Sequence, residues 1–338
     1  MARGSGRCAR IGGALAVVFS CCAMTGCPPR GPASRGDATN ATELTPPEAR
    51  RAFEPLVAAH NARVALFESF VAPAAVVLRY PELDGGVERG VEQQLDASIS
   101  LASGGRGALE LKLLGKTWAW LGGDGSRSWV YMAVGEQPSQ LHVYERLTDG
   151  TNTEAGALIG GAELTLLTPA SLRLLLGLAP IAPEWSLVPI VPADGEPIDG
   201  TPAARYEVRW NPTPAAIARM RLDSAGAPLS IVVTDLAGSE IVRSLHAEPL
   251  RVRRENIAMG AWPAVARRIS IEASRSRSSA TILLDAEALA RPMRAPKERF
   301  FDLAAMQLYL APEEVIVHDP SSAVRPVPAA GASPRKVR

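Results

Sequence analysis

Leu95-Asp96-Ala97-Ser98-Ile99-Ser100-Leu101, followed closely by Leu109-Glu110-Leu111-Lys112-Leu113, decides the fold. In both runs every second residue is apolar and the residues between are polar or charged. Side chains two apart on a strand lie on the same face, so this period marks strands with one face buried and one wet. Ser103-Gly104-Gly105 between them carries the turn residues a hairpin needs.

The same period extends in both directions. Before these runs it fits Ala74 to Tyr80, and after them Thr117 to Leu121, Ser128 to Val134 and Leu141 to Leu147. Residues Thr148 to Glu163 break the pattern; Asp149 to Glu154 lacks the alternation of a calcium loop and reads as a polar loop. Strands resume at Ala204 to Trp210, Ala216 to Leu222, Leu229 to Thr234, Glu240 to His246, Val265 to Ala273 and Ser279 to Leu284.

Helical signals occur twice. Thr45-Pro46-Pro47-Glu48 has capping-box spacing with proline in the first turn, and predicts a helix that Pro55 splits or kinks. Thr168-Pro169-Ala170-Ser171 opens a second helix that Gly177 can end, and its body is almost wholly leucine. The pattern of helix, strands, helix, strands predicts a mostly β chain with a few helices: a curved antiparallel open half-barrel covered by helices. Leu95, Ile99, Leu109, Leu111, Trp129, Tyr131, Tyr206 and Val208 are then expected to share one apolar concave face. Leu172, Leu175 and Leu176 should close it, while Leu174 turns away.

The ends of the chain speak of export. Arg3, Arg7 and Arg10 precede an apolar run from Ile11 to Met24, which stops at Met24-Thr25-Gly26-Cys27-Pro28-Pro29. The run is too short to span a bilayer and has the charged, apolar and small-residue regions of a signal peptide. Cys8, Cys21, Cys22 and Cys27 are the only cysteines, so cleavage before Cys27 leaves a body without disulfide, cysteine metal site or thiol nucleophile. The tetrapeptide resembles the bacterial lipobox, which implies that Cys27 is acylated and anchors the protein to a membrane. The expected organisation is a signal peptide at 1–26, a Pro/Gly/Ser/Thr-rich tether at 27–45, one domain at 46–318 and a disordered tail at 319–338.

Composition excludes several functions. With 47% hydrophobic and 21% charged residues and a formal net charge of +1, the chain carries no field for nucleic acid. Nucleophile elbows, zinc-protease helices, phosphate loops and dinucleotide fingerprints are absent from the sequence. His60, His142, His246 and His318 lie on separate elements without ligand spacing. No catalytic residue, metal or cofactor is expected.

Leu109 to Leu114 with Trp118 to Leu121, then Asp124-Gly125-Ser126-Arg127-Ser128-Trp129-Val130-Tyr131, resembles paired strands of the lipoprotein-carrier superfamily (LolA/LolB type). Thr168-Pro169 to Gly177-Leu178 resembles its inter-sheet helix, and Leu222 to Leu229 with Trp262 to Leu284 its C-terminal meander. The resemblance covers about residues 46 to 303 and implies an unclosed barrel that takes acyl chains or lipoproteins in an apolar concavity. The expected function is a membrane-anchored envelope lipoprotein, in the periplasm and at the outer membrane, that binds a lipid, an acyl chain or a lipoprotein. A structural lipoprotein whose concavity is filled by its own leucines is the alternative, and an envelope hydrolase the third reading.

Overall fold

A computed structural model describes residues 46–84, 87–133, 138–145, 169–189, 206–213, 216–223, 225–274 and 276–318. The signal peptide, Cys27, the tether, the polar loop around 149–154 and the C-terminal tail therefore lie outside the described residues. All described elements belong to one unit, Thr39–Arg338.

Helix α1 (Pro46–Ala65) runs through Pro55 without being split. It is followed by β1 (Phe70–Asp84), β2 (Val87–Leu101), β3 (Gly107–Leu113), β4 (Lys116–Gly123), β5 (Arg127–Met132) and β6 (Gln140–Glu145). The short helix α2 (Pro169–Leu175) separates this meander from a second one. That meander comprises β7 (Ser186–Pro189), β8 (Tyr206–Thr213), β9 (Ala216–Leu222), β10 (Pro228–Asp235), β11 (Glu240–Arg251), β12 (Ala264–Ala273) and β13 (Ser278–Leu284). The chain ends with α3 (Ala286–Leu289), a 3-10 turn at Glu298–Phe301, α4 (Leu303–Leu310) and β14 (Glu314–His318).

The described strands form one open, curved sheet in the order β14-β6-β5-β4-β3-β2-β1-β13-β12-β11-β10-β9-β8-β7. The first meander runs outward from β1, the chain crosses over, and the second returns from the far edge. The two meet where β1 pairs with β13, with Ala74 opposite Leu284 and Arg79 opposite Ser279. Every pair is antiparallel except the last: β14 lies parallel to β6. The sheet expected to be wholly antiparallel thus gains a parallel edge. A parallel pair needs a long crossover; here the second meander lies between β6 and β14, and the segment carrying α3, the 3-10 turn and α4 leads from β13 to the β14 edge.

Hairpin turns follow local chemistry. Between β3 and β4 a two-residue turn holds Leu114 at φ 51° and Gly115 at φ 81°, the double positive φ that matches strand twist. Leu114 is not β-branched but still meets steric cost there, and its side chain is 94% exposed. After β9, Asp223 Oδ1 accepts from the amides of Ala225 and Ala227, both at 2.8 Å, and fixes the turn into β10.

Candidate functional site

Cross-strand partners point to the same side of a sheet, so the pairing register assigns each predicted residue to a face. Ile99 lies opposite Leu109, Leu109 opposite Leu121, and Leu121 opposite Val130. In the second meander Val208 lies opposite Met220, then Ile231, Ser244, Ile271 and Ala280 follow across successive strands to Leu78. Leu78 shares its face with Ala72, which is the partner of Ile99. Leu95, Ile99, Leu109, Leu111, Tyr206 and Val208 therefore do lie on one face.

Trp129 and Tyr131 do not. They flank Val130, and their partners are Gly122 and Trp120 on the opposite side. The expectation that they line the concavity is corrected: they belong to a separate cluster with Trp120, Leu141 and Val143, covered by Phe301 and Met306. Trp129 lies so flat on Gly122 that an added Cβ there would stand 2.2 Å from its Nε1.

The shared face is closed by helices. Leu172 and Leu175 of α2, with Leu176 in the turn after it, pack with Leu95, Ile99, Leu109 and Leu111 in one buried cluster. Val208 and Tyr206 belong to an adjoining cluster beneath Phe53 of α1, whose ring meets that of Tyr206 edge-on at 4.9 Å. Leu174, expected to turn to solvent or a partner, packs half-buried against this second cluster. All of the predicted aliphatic residues on the face are 2% exposed or less.

Polar side chains hold α2 and the segment after it. Arg173 Nη2 donates to Ala102 O at 2.9 Å, and Ser244 Oγ to Leu175 O at 3.2 Å. Arg63 of α1 donates to Gly177 O at 2.8 Å and to Ala264 O at 3.2 Å. Burial pushes this guanidinium down to about 10, with Asp223 acting in the opposite direction. Asn61 clasps the backbone of Ile181 from both sides, donating to its carbonyl at 3.0 Å and accepting from its amide at 2.8 Å. His60 places Nε2 at 3.0 Å from Ala179 O and Nδ1 at 2.9 Å from Gly226 O. A neutral ring can donate to only one of these, and burial, foremost, keeps its pKa below the ordinary value. None of these partnerships is visible from sequence spacing, because each joins elements more than sixty residues apart.

The same network tests the hydrolase reading. Ser244 Oγ and His246 Nε2 are 3.0 Å apart. Ser244 Oγ also donates to Leu175 O at 3.2 Å, and which partner donates in the contact with the imidazole is set by the ring tautomer. His246 Nδ1 is buried without a partner, and burial pushes the ring down to about 4. Among the described residues no group of three His, Cys, Asp or Glu could hold a metal ion, and no helix is long and apolar enough to cross a membrane.

No protein-family model matches the chain, and no curated protein does either. Solved structures similar to it include a DUF1329 family protein from Desulfovibrio piger, at a TM-score of 0.46 and 11% identity, covering 75% of this chain and 98% of that one. A domain described as an outer membrane lipoprotein-sorting protein from Vibrio parahaemolyticus gives 0.38 and 10%, covering 69% and 91%. A LolA superfamily protein from Nitrosomonas europaea gives 0.37 and 13%, covering 73% and 96%.

Proposed function

We propose that this chain is an envelope lipoprotein, anchored through Cys27, that takes an acyl chain of a lipid or lipoprotein against the concave face when α2 moves aside. The observation that carries the reading is how that face is closed: by a helix of 7 residues that presents Leu172 and Leu175 to it, with Leu176 in the turn that follows. A helix this short has no stability of its own and depends on its docking. Its leucines are chemical equivalents of acyl methylenes, so an entering chain replaces apolar contact with apolar contact. What an acyl chain must disrupt is the set of hydrogen bonds from Arg63, Arg173 and Ser244 to backbone carbonyls.

One observation favours a second reading. Leu95, Ile99, Leu109, Leu111 and Leu172 are each 1% exposed or less, the burial of an ordinary core. In that case the protein is a structural envelope lipoprotein with the same anchor.

Mass spectrometry of lipids that co-purify with the chain from Thr39 onward, together with displacement of a fluorescent fatty acid, separates the two. Bound lipid, weakened by Leu175→Ala, supports acyl binding. Absence of binding, with Leu175→Ala costing about 2–5 kcal/mol of stability as in a packed core, supports the structural reading. The anchor is tested by itself: Cys27→Ala should abolish acyl labelling and release the protein from membranes. Pro28 after the cysteine, in place of Asp, favours the outer membrane, which fractionation checks.

A further inference from the structure

The outer face of the sheet carries a second apolar surface, separate from the concavity. Two rows cross it: Trp120, Tyr131, Leu141, Val315, and Gly122, Trp129, Val143, Val317. Helix α4 and the preceding 3-10 turn bury the first three members of each row through Phe301 and Met306. The rows then run past this cover onto β14, where Val315 is 46% and Val317 62% exposed. On α4 itself Leu308 is 86% and Tyr309 52% exposed. Exposed apolar groups gathered around one short helix call for a partner more than isolated ones do.

The charge beside this surface says which partner. Lys297 and Arg299 stand on its aromatic rings, and Arg291 and Arg294 are close to them in sequence, in a nine-residue run that contains one acid, Glu298. The Arg299 guanidinium stands 5.6 Å over the Tyr309 ring and 5.5 Å over Phe300, and the Lys297 ammonium 5.8 Å over Phe300. Of the nearby carboxylates only Glu298 meets a cation; the other three keep their charge and accept from neutral donors. Glu298 accepts from Arg106, Asp302 caps α4, Glu313 accepts from the Ser139 amide and Glu314 from Gln140. Among the described residues none of the four cations meets a carboxylate in an ion pair.

We propose that α4, the 3-10 turn and the outer face of β14 dock onto an anionic membrane surface. Leu308, Tyr309 and the two valines enter the boundary between headgroups and acyl chains, and Arg299 and Lys297, held at the level of the aromatic rings, meet lipid phosphates. Aromatic and basic side chains side by side at one level are the arrangement favoured at that interface. The inference does not depend on acyl binding in the concavity. It draws on the lipid anchor only for proximity, since a tether at 27–45 reaches about 60 Å when extended.

Sedimentation of the chain from Thr39 onward with vesicles tests it, using phosphatidylcholine alone and phosphatidylcholine with about one-third phosphatidylglycerol. Binding is expected to the anionic vesicles only and to weaken as salt is raised. Removing one cation, as in Arg299→Ala, should weaken partitioning about fivefold. Leu308→Gln combined with Tyr309→Ser should weaken it by about tenfold or more; circular dichroism verifies that the variants are folded. Equal binding to both vesicle types, unchanged binding by folded variants, or loss of binding through Leu114→Ala in place of the α4 changes would overturn the proposal. So would self-association abolished by Val317→Asp, which would assign the surface to a second copy. Fatty-acid displacement on the same samples reports the concavity separately, so either reading can fail alone.

Discussion

Gly122 shows how a single position fixes the outer cluster. Its missing side chain is the space in which the Trp129 indole lies, with Nε1 and Cε2 at 2.2 and 2.4 Å from where a Cβ would stand. Trp129 is fully buried under α4 and has nowhere to retreat. Gly122→Ala is therefore expected to cost about 1–3 kcal/mol through overpacking, read as a lower denaturant midpoint with altered tryptophan fluorescence. Gly90→Ala, on an extended strand with nothing within 4 Å of its added Cβ, should leave the midpoint nearly unchanged. An equal effect at both positions would rule out this account of Gly122. The same neighbourhood marks a limit of sequence reading. Alternation in Trp129-Val130-Tyr131 says that the two aromatics share a face, and they do. It cannot say which face, because Val130 on the other side is buried too and only its pairing with Leu121 decides.

Among the elements, α2 was legible and its fastening was not. Thr168-Pro169 and Gly177 bracket the helix in the sequence, and the structure ends it at Leu175, two residues before Gly177 at φ 67°. The clasp from α1 depends on side chains that meet only after folding. Asn61→Ala removes both of its bonds to Ile181 and strands a backbone amide and carbonyl. The expected loss is about 1–3 kcal/mol, with faster hydrogen exchange at residues 176–181 and unchanged exchange in β3 and β4. Uniform acceleration across the sheet would mean that α2 opens only with global unfolding and would count against a movable cover. Helix α4 and β14 went unread for different reasons. Leu303–Leu310 is apolar on most sides and gives no clear stripe, although Asp302 accepts from the Ala304 and Ala305 amides as an N-cap. Five residues of β14 pair with a strand far back in the chain, and no local pattern encodes a parallel partner.

Across the whole molecule the four histidines share one electrostatic property. Burial, first among the causes, holds each of His60, His142, His246 and His318 below the ordinary pKa. His142 and His318 join β6 to the edge strand β14, with Nδ1 and Nε2 3.0 Å apart, ring planes within 16° and centroids 5.3 Å apart. That separation is the two ring radii added to the contact, so the rings lie nearly coplanar with their nitrogens facing. One shared proton makes this bond and two abolish it. His318 also stacks on Tyr144 at 4.4 Å; Gln140 contacts His142, and the charge of Glu314 favours its protonated form. A histidine whose pKa is depressed by folding binds fewer protons folded than unfolded. Its contribution to stability is thus complete above about pH 6.5 and is lost as pH falls through the folded value. For His246, held at about 4, the loss amounts to about 3 kcal/mol and is spread between pH 6.5 and 4. Denaturant unfolding measured across that range should therefore show stability falling steadily toward acid. His246→Gln should flatten the profile most, and His318→Gln should remove a smaller part while leaving the core signal intact. A wild-type profile that stays level down to pH 4, or one whose slope His246→Gln leaves unchanged, would show that these buried rings do not govern the acid response.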